Sequence, residues 1–525
     1  MKIQLICGIV LCLLTVILYA GGEPTQISTD ANYRSWGWNS VVMKNGVISV
    51  ATMPEIGARI MEYNLGEHPF LFVNPSELGK THTPNQSQWY NYGGYKVWPA
   101  PQAVWNWPPP AILDAGPWTA QIIDNTQDSV SVFVASQKET WNKTPNLSME
   151  RRTVIYRGSS RVKIEQSIIN EGAKTVNWSV WDVSQCIVNH PNEKDFENFW
   201  IYFPIKTEDS VFGDQGVKTS DNFKSKAWKG EVAPGIYGVN FRPDNVKIFA
   251  DSPEGWIAYV DEREGFAYVK VFDIFEGQDY PDDGARNEVW VQGSPYYCEV
   301  EVVSPIWPIS AGGKITFVEN WYASKANGPV LAVNHVGLVE THLAFDPVTG
   351  HLYGLYGIFH EGFANISFLN ASESMVGESS DFPVSPLQKL EIDQVISVPE
   401  TAVSALVNIY DPSGDFIGTV DRVPAANLTR VFQNKPPKQF ALKQNFPNPF
   451  NPTTTIECVI EKFDHVRLSL VNITGAEVAT LVDDWMSPGS HQIIWNGSNY
   501  PAGIYTVRLE SSSRESDLIK IVLLK

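Results

Sequence analysis

Glu299 and Glu301 stand two positions apart in the run Tyr296 to Val303. Side chains alternate faces along a strand. As a strand, this run puts Cys298, Val300 and Val302 on one apolar face and Tyr297, Glu299 and Glu301 on the other. The preceding run, ARNEVWVQG, repeats the pattern: Val289 and Val291 are apolar, while Arg286, Glu288, Trp290 and Gln292 share the opposite face. Gly293-Ser294-Pro295 joins the two as a hairpin. Matching the apolar faces sets Gln292 opposite Tyr297, Trp290 opposite Glu299 and Glu288 opposite Glu301. A slip of one residue would turn every valine outward. Three carboxylates then crowd one face with Trp290 and Arg286. Like charges directly opposed destabilise a sheet, and Arg286, a bound cation or a raised carboxyl pKa would relieve them. Groups so placed can serve proton transfer. They suit glycoside hydrolysis poorly. Neighbours on one strand face lie about 6.6 Å apart on the same side, whereas a hydrolase flanks the scissile bond. An ordinary solvated polar face is the alternative.

A second cluster lies between Trp89 and Trp118, WYNYGGYKVWPAPQAVWNWPPPAILDAGPW. Its rings, interleaved with Gly, Pro and Asn, exceed what a regular core would hide. Flat apolar rings beside amides suit a sugar, with its apolar C–H faces and polar edges; capping the end of a sandwich is the competing role. Lys96, Trp98, Gln102 and Trp107 are the candidates here. Lys96 is either a hydrogen-bond or proton donor, or a surface lysine with a snorkelling stem. In NWSVWDVSQCIVNHP, Trp181 and Gln185 take facing positions, and His190 falls beyond them in a loop.

The elements that must position these residues are strands. Helical periodicity is nearly absent, and short alternating runs are broken by Gly, Pro, Asn and Asp. Val41 to Met53 reads as two strands around an Asn45-Gly46 turn, and Gly57 permits a sharp turn further on. The expected fold is all-β: a large antiparallel N-terminal sandwich at 27–325, then two small β-sandwiches at 328–432 and 441–525. A Pro-rich connector at 433–440 precedes the last.

Residues 1–22 read as an export signal. Lys2 precedes an apolar run from Leu5 to Leu18, and Ala20-Gly21-Gly22 offers a cleavage point. That run is short for a bilayer span, and no later one is long enough, so no stable membrane insertion is expected. The net charge of −19 across 525 residues argues against nucleic acid or anionic membrane as partner. Beyond the signal, Cys186, Cys298 and Cys458 form neither a zinc pattern nor a disulfide framework. No cofactor or metal motif is read.

The C-terminal block carries Gln444-Asn445-Phe446-Pro447-Asn448-Pro449-Phe450-Asn451-Pro452, Gly489-x-His491, Trp495-Asn496-Gly497, Gly503-Ile504-Tyr505 and a Lys-bearing hydrophobic final strand. In this order they resemble the type A C-terminal sorting domain of the type IX secretion system. The resemblance implies partnership with that machinery through residues 441–525 and delivery to the outer surface or medium.

Over residues 30 to 325, PEIGARI, GGYKVWPAPQ, YYCEVEVVSP and ISAGGKITFVENWY resemble the galactose-mutarotase-like superfamily. They are similar within it to a bacterial family with a Gly-Gly-x-Lys-x-Trp-Pro-Ala-Pro-Gln signature. That implies an antiparallel supersandwich whose concave face binds carbohydrate, with Glu299 as base and Glu301 as second choice. It also implies sugar contacts from Lys96, Trp98, Gln102, Trp107, Trp181, Gln185, Arg286, Glu288 and Trp290. Mutarotases place a histidine acid on a mid-domain strand, where this chain has Trp181 and Gln185. The expected function is carbohydrate binding with an epimerase-type activity open. A non-catalytic surface or adhesin role and a glycoside-processing enzyme are the alternatives.

Overall fold

The structure is a computed structural model describing residues 22–82, 88–190, 196–346, 351–424, 440–460, 464–486, 489–511 and 516–524. The expected export signal, apart from Gly22, lies outside them, as does the connector apart from Phe440. Strands are the dominant regular structure of the described chain, with one short α-helix at Ala111–Ala115 and four single-turn 3-10 helices. Every sheet is built from antiparallel neighbours, in keeping with the all-β expectation.

A sheet of twelve strands and a sheet of ten face each other over the first part of the chain. Alternation explains their core. Tyr95, Val97, Val180, Val289, Val300 and Val302 turn inward from the first sheet and join one continuous apolar cluster. At its centre Tyr95 meets Trp321 at 4.7 Å between ring centroids, and Tyr63 meets Trp321 at 5.7 Å. The interior also holds ions. Lys270 Nζ lies 2.8 Å from Asp182 Oδ1, which also accepts the Val302 amide at 2.9 Å. Burial, then the Asp182 charge, holds the Glu319 carboxyl well above the usual carboxylate range.

The Asn45-Gly46 turn joins Ser40–Lys44 to Ile48–Met53 in antiparallel pairing. The middle block forms sheets of four and five strands around its own core, which includes Leu352, Tyr356, Ile366 and Val407. It also seats Leu338 and Phe359 against Trp200, Trp256 and Tyr322 on the outer face of the ten-stranded sheet.

The last block pairs a three-stranded with a four-stranded sheet, and Val466, Leu468 and Leu470 are fully buried between them. Its Asn-Pro segment staples the final strand, Ser516–Leu523. Asn448 accepts the Val522 amide at 2.9 Å and donates to the Lys520 carbonyl at 3.2 Å; Gln444 donates to the same carbonyl at 2.9 Å. Asn445 donates to Thr454 Oγ1 at 2.8 Å, and Phe450 packs on Trp495 at 5.3 Å. The prolines withhold backbone donors, so side-chain amides make those bonds.

Gly93 and Gly94 deliver the chain into the strand Tyr95–Ala100 at φ +95° and +68°. A Cβ on Gly93 would come 2.1 Å from the Phe72 carbonyl oxygen. Gly93→Val therefore combines left-handed strain with a backbone clash, and should cost about 3 kcal/mol in denaturant unfolding. Gly213→Ala, at φ +83° with nothing within 4 Å, should cost about 1 kcal/mol. Equal unfolding midpoints for the two variants would contradict this packing.

Candidate functional site

The hairpin Asn287–Gly293 and Tyr296–Val303 pairs Glu288 with Glu301, Trp290 with Glu299 and Gln292 with Tyr297. This is the register that the apolar alternation requires. The strand Val176–Cys186 runs along its other side, with Gln185 opposite Glu299 and Val183 opposite Glu301. Tyr95–Ala100 follows, with Trp98 opposite Trp181 and Lys96 opposite Val183. Lys96, Trp98, Trp181, Gln185, Glu288, Trp290, Glu299 and Glu301 consequently share the outer face of the twelve-stranded sheet.

This face is an ionic row rather than a solvated surface. Glu299 Oε1 accepts from Lys96 Nζ and from Gln185 Nε2, each at 2.9 Å. The Lys96 ammonium also stands 4.7 Å from the Trp98 ring centroid. Lys96 is buried, which excludes the snorkelling alternative. Burial pulls its pKa below the ordinary lysine value, with Glu299 opposing. Glu301 accepts from Trp181 Nε1 at 2.6 Å and Lys247 Nζ at 2.9 Å, and Lys247 also reaches Glu288 at 2.5 Å. Burial pushes the Glu288 carboxyl up to about 8 against the pull of Lys247. It raises Glu301 as well. Burial pulls Lys247 down, but its two carboxylates outweigh that and raise it.

The two glutamates on the late strand differ in access. The Glu299 side chain is 11% exposed, whereas that of Glu301 is 0% exposed. Glu299 can touch a ligand as the face stands; Glu301 is committed to Trp181 and Lys247.

Arg286 is not the counter-ion of this row. Its guanidinium forks onto Glu276 at 3.0 and 3.1 Å and donates to the Ser252 carbonyl at 3.0 Å. Lys247 neutralises the facing glutamates instead, from the strand Asn245–Ala250, where it stands opposite Trp290. Alternation in DNVKIFAD marks Lys247 and Phe249 as one face, but nothing local tells which strand lies beside it.

The Trp-rich segment hides more rings than its composition suggests. Trp98, Trp105 and Trp118 are buried, while Trp107 is 53% exposed at the rim. Trp107 packs on Trp89 at 4.7 Å and on Trp98 at 6.2 Å. Asp114, which no local sequence pattern marks, organises this end. It accepts from Arg59 at 2.6 Å, Trp98 at 2.7 Å and Trp89 at 3.0 Å. Gln102 is half-buried in a short turn after the strand, where its carbonyl accepts the Trp105 and Asn106 amides. Trp290 is half-buried and donates to Gln292 at 2.8 Å. His190 stands apart from the row, 3.0 Å from Asp261 of the ten-stranded sheet.

A cavity of about 620 Å³ opens beside the row, lined by Arg34, Trp36, Glu62, Asn64, Phe72 and Tyr296 among others. Phe72 stacks on Tyr297 at 5.2 Å and so walls the cavity from the glutamates. No group of three or more metal-ligating side chains occurs among the described residues.

Residues 444–523 match the family described as the secretion system C-terminal sorting domain, so the chain ends in such a domain. Among curated proteins none matches this sequence. Among solved structures, the chain is similar to a galactose mutarotase-like protein from Clostridium acetobutylicum, at 12% identity and TM-score 0.41, covering 58% of this chain and 99% of that one. It is similar to a galactose mutarotase related enzyme from Lactobacillus acidophilus, at 10% identity and TM-score 0.35, covering 56% and 100%. A TPR-domain containing protein from Parabacteroides distasonis gives 12% identity and TM-score 0.40, covering 57% of this chain and 49% of that one. The match thus spans about half of that last protein. Likeness at this level assigns no activity.

Glu288 gives the row a pH signature. Its folded pKa, near 8, lies above an unfolded value of about 4.3. Its contribution to stability is therefore fully present below pH 4.3 and is lost as pH rises through 8. Glu288→Gln removes that titration. Its melting temperature relative to wild type should climb by several degrees between pH 5 and pH 8.5. A difference that stays constant across this range would mean that Glu288 titrates as an ordinary carboxyl.

Proposed function

We propose that residues 27–325 form a carbohydrate-binding domain of the galactose-mutarotase-like type. The observation that carries this reading is the outer face of the twelve-stranded sheet, where Trp98, Trp181 and Trp290 alternate with the paired groups Lys96, Glu299, Glu301 and Lys247. Trp290, half-buried, and Trp107 at the rim are the rings that can offer apolar surface to sugar C–H groups, over a floor of Trp98 and Trp181, and fixed donors and acceptors meet hydroxyls. Trp107, exposed at the rim, supplies the approach. The Gly-Gly-Tyr-Lys-Val-Trp-Pro-Ala-Pro-Gln segment supports the same assignment. Gln102 and Arg286 enter it only as neighbours of the face.

An aldose 1-epimerase-type reaction needs a base for the anomeric hydroxyl and an acid for the ring oxygen. Glu299 is the reachable base, and Lys96, its pKa depressed by burial, is the adjacent donor. A non-catalytic binding role is the second reading. It is favoured by His190 standing at Asp261 instead of on this face. Glycan-array and titration binding should detect a saccharide ligand, with affinity lost in Trp107→Ala and Trp290→Ala. An array with no bound glycan would end the carbohydrate reading. Anomer interconversion followed by proton NMR separates the two roles. Acceleration by wild type that is lost in Glu299→Gln supports the epimerase; no acceleration by wild type leaves a binding protein.

The sorting domain supports export. We infer entry through residues 1–22 into the general secretory route, then passage through the type IX machinery by residues 441–525 to the outer surface or medium. The middle block, 328–432, serves here as a spacer resting on the first domain. Deleting residues 440–525 should leave the cargo in the periplasm, as read by fractionation and immunoblot. Wild-type amounts outside the cell would refute this route.

A further inference from the structure

The chain has 58 acidic and 39 basic residues, and among the described residues most arginines pair with a carboxylate; Arg151, Arg161 and Arg508 do not, and Arg151 instead donates to the Ala58 carbonyl. Arg34, Arg59, Arg152, Arg286, Arg422 and Arg467 each meet a carboxylate. Arg161 donates Nε to the Asn320 amide oxygen at 2.8 Å, and its guanidinium lies 4.9 Å from the Tyr156 ring centroid. Its two terminal nitrogens have no protein acceptor among the described residues.

Arg161 opens the strand Val162–Asn170 of the ten-stranded sheet, at the seam with the middle block. That seam is well fastened. The Ser160 amide donates to the Phe359 carbonyl at 2.9 Å, the Glu361 amide donates to the Gly158 carbonyl at 2.8 Å, and Tyr322 stacks on Phe359 at 4.5 Å. The two blocks together line a crevice of about 470 Å³ with Arg161, Lys163, Asn320, Tyr322, His335 and His360.

The Arg161 terminal nitrogens and one His335 nitrogen are the unspent donors of this crevice. Lys163 is taken by Glu165 at 2.6 Å. His335 Nδ1 meets the Tyr322 hydroxyl at 2.9 Å, which leaves Nε2. His360 Nε2 lies 3.1 Å from the His335 carbonyl. A carbonyl only accepts, so Nε2 carries the proton and Nδ1 keeps a lone pair, an acceptor and not a donor. Asp273 is the carboxylate of the lining. Burial, and for His335 next the Arg161 charge, holds both imidazoles below the ordinary histidine pKa.

We propose that this seam binds an oxyanion, a carboxylate or sulfate group, with Arg161 as its anchor and His335 Nε2 as a further donor. A guanidinium with both terminal nitrogens open matches such a group in a two-pronged bond. The crevice is the size of a small-molecule site. The acidic charge of the whole chain acts through salt that screens beyond about 8 Å, so the local donors decide. The site uses no residue of the glutamate row and stands independently of the carbohydrate reading.

Isothermal titration of the purified chain with sodium sulfate, glucuronate and glucose tests the proposal. Sulfate or glucuronate should bind, and Arg161→Gln should weaken that binding about tenfold or more. Asp273→Asn removes the opposing charge and should tighten it several-fold, a gain that misfolding cannot mimic. Sulfate binding as tightly as glucuronate identifies a free oxyanion as the ligand. Glucuronate binding more tightly identifies an anion carried on a sugar. Glucose binding as tightly as glucuronate, a folded Arg161→Gln with wild-type affinity, or no anion binding at millimolar concentration would each overturn the site.

Discussion

Two buried glutamates face each other across adjacent strands, and one ammonium group together with the raised pKa of Glu288 makes that arrangement tolerable. Glu288 and Glu301 are direct partners in the hairpin, and each is essentially without solvent. Unpaired, such a group costs several kcal/mol to bury. Lys247 lies within 2.5 and 2.9 Å of them. Trp181 closes the arrangement, its Nε1–H donating to Glu301 and its ring lying 4.5 Å from the same ammonium. This triad fixes the hairpin against its neighbouring strands on both sides. It leaves Glu299 to Lys96 and Gln185, and so divides the row into a closed half and a half that can meet a ligand.

The same logic recurs inside the sandwich and at the Trp-rich end of the outer face. Lys270 with Asp182, and Arg59 with Asp114, are pairs with almost no exposure. Pairs of this kind add little net stability, but losing one partner costs about 3–5 kcal/mol. Every alternative register of Val176–Cys186 would strand a charge, either Asp182 on the inner face or the partners of Gln185 on the outer one. The apolar alternation selects the register and the ions penalise the others. The glycine pair at 93 and 94 belongs to this constraint, because it brings Lys96 into line while Phe72 crosses directly behind.

What was legible in the sequence follows from range. The hairpin register could be derived because two alternating runs meet across a three-residue turn, and period-two patterning is local information. Lys247 could not, since its strand pairs with Asn287–Gly293 from some forty residues away and carries no mark of that pairing. Of the three ways to relieve the facing carboxylates, the one through Arg286 does not occur, for the reverse reason. Arg286 has the right parity, but its long side chain prefers the fork of Glu276 in the loop before the strand. The Trp-rich segment was overestimated as exposed, because Asp114 folds it down by gathering Arg59, Trp89 and Trp98 around one carboxylate. The Asn-Pro segment stood out as a motif, and its cause lies in the amide bonds of Gln444 and Asn448 to the final strand.

Access decides which chemistry the row permits. A group with no exposure reaches a ligand only after the face rearranges, and rearranging the closed half would unpair two carboxylates at once. Opening the other half is cheaper, because Glu299 already has some exposure and can accept from a ligand hydroxyl while keeping its pair with Lys96. The wall between this half and the neighbouring cavity is the Phe72–Tyr297 stack, an apolar contact with no ion pair to break. Any ligand of this face is therefore steered toward Glu299 and away from Glu301, although the two glutamates are equivalent in sequence pattern and share a single strand.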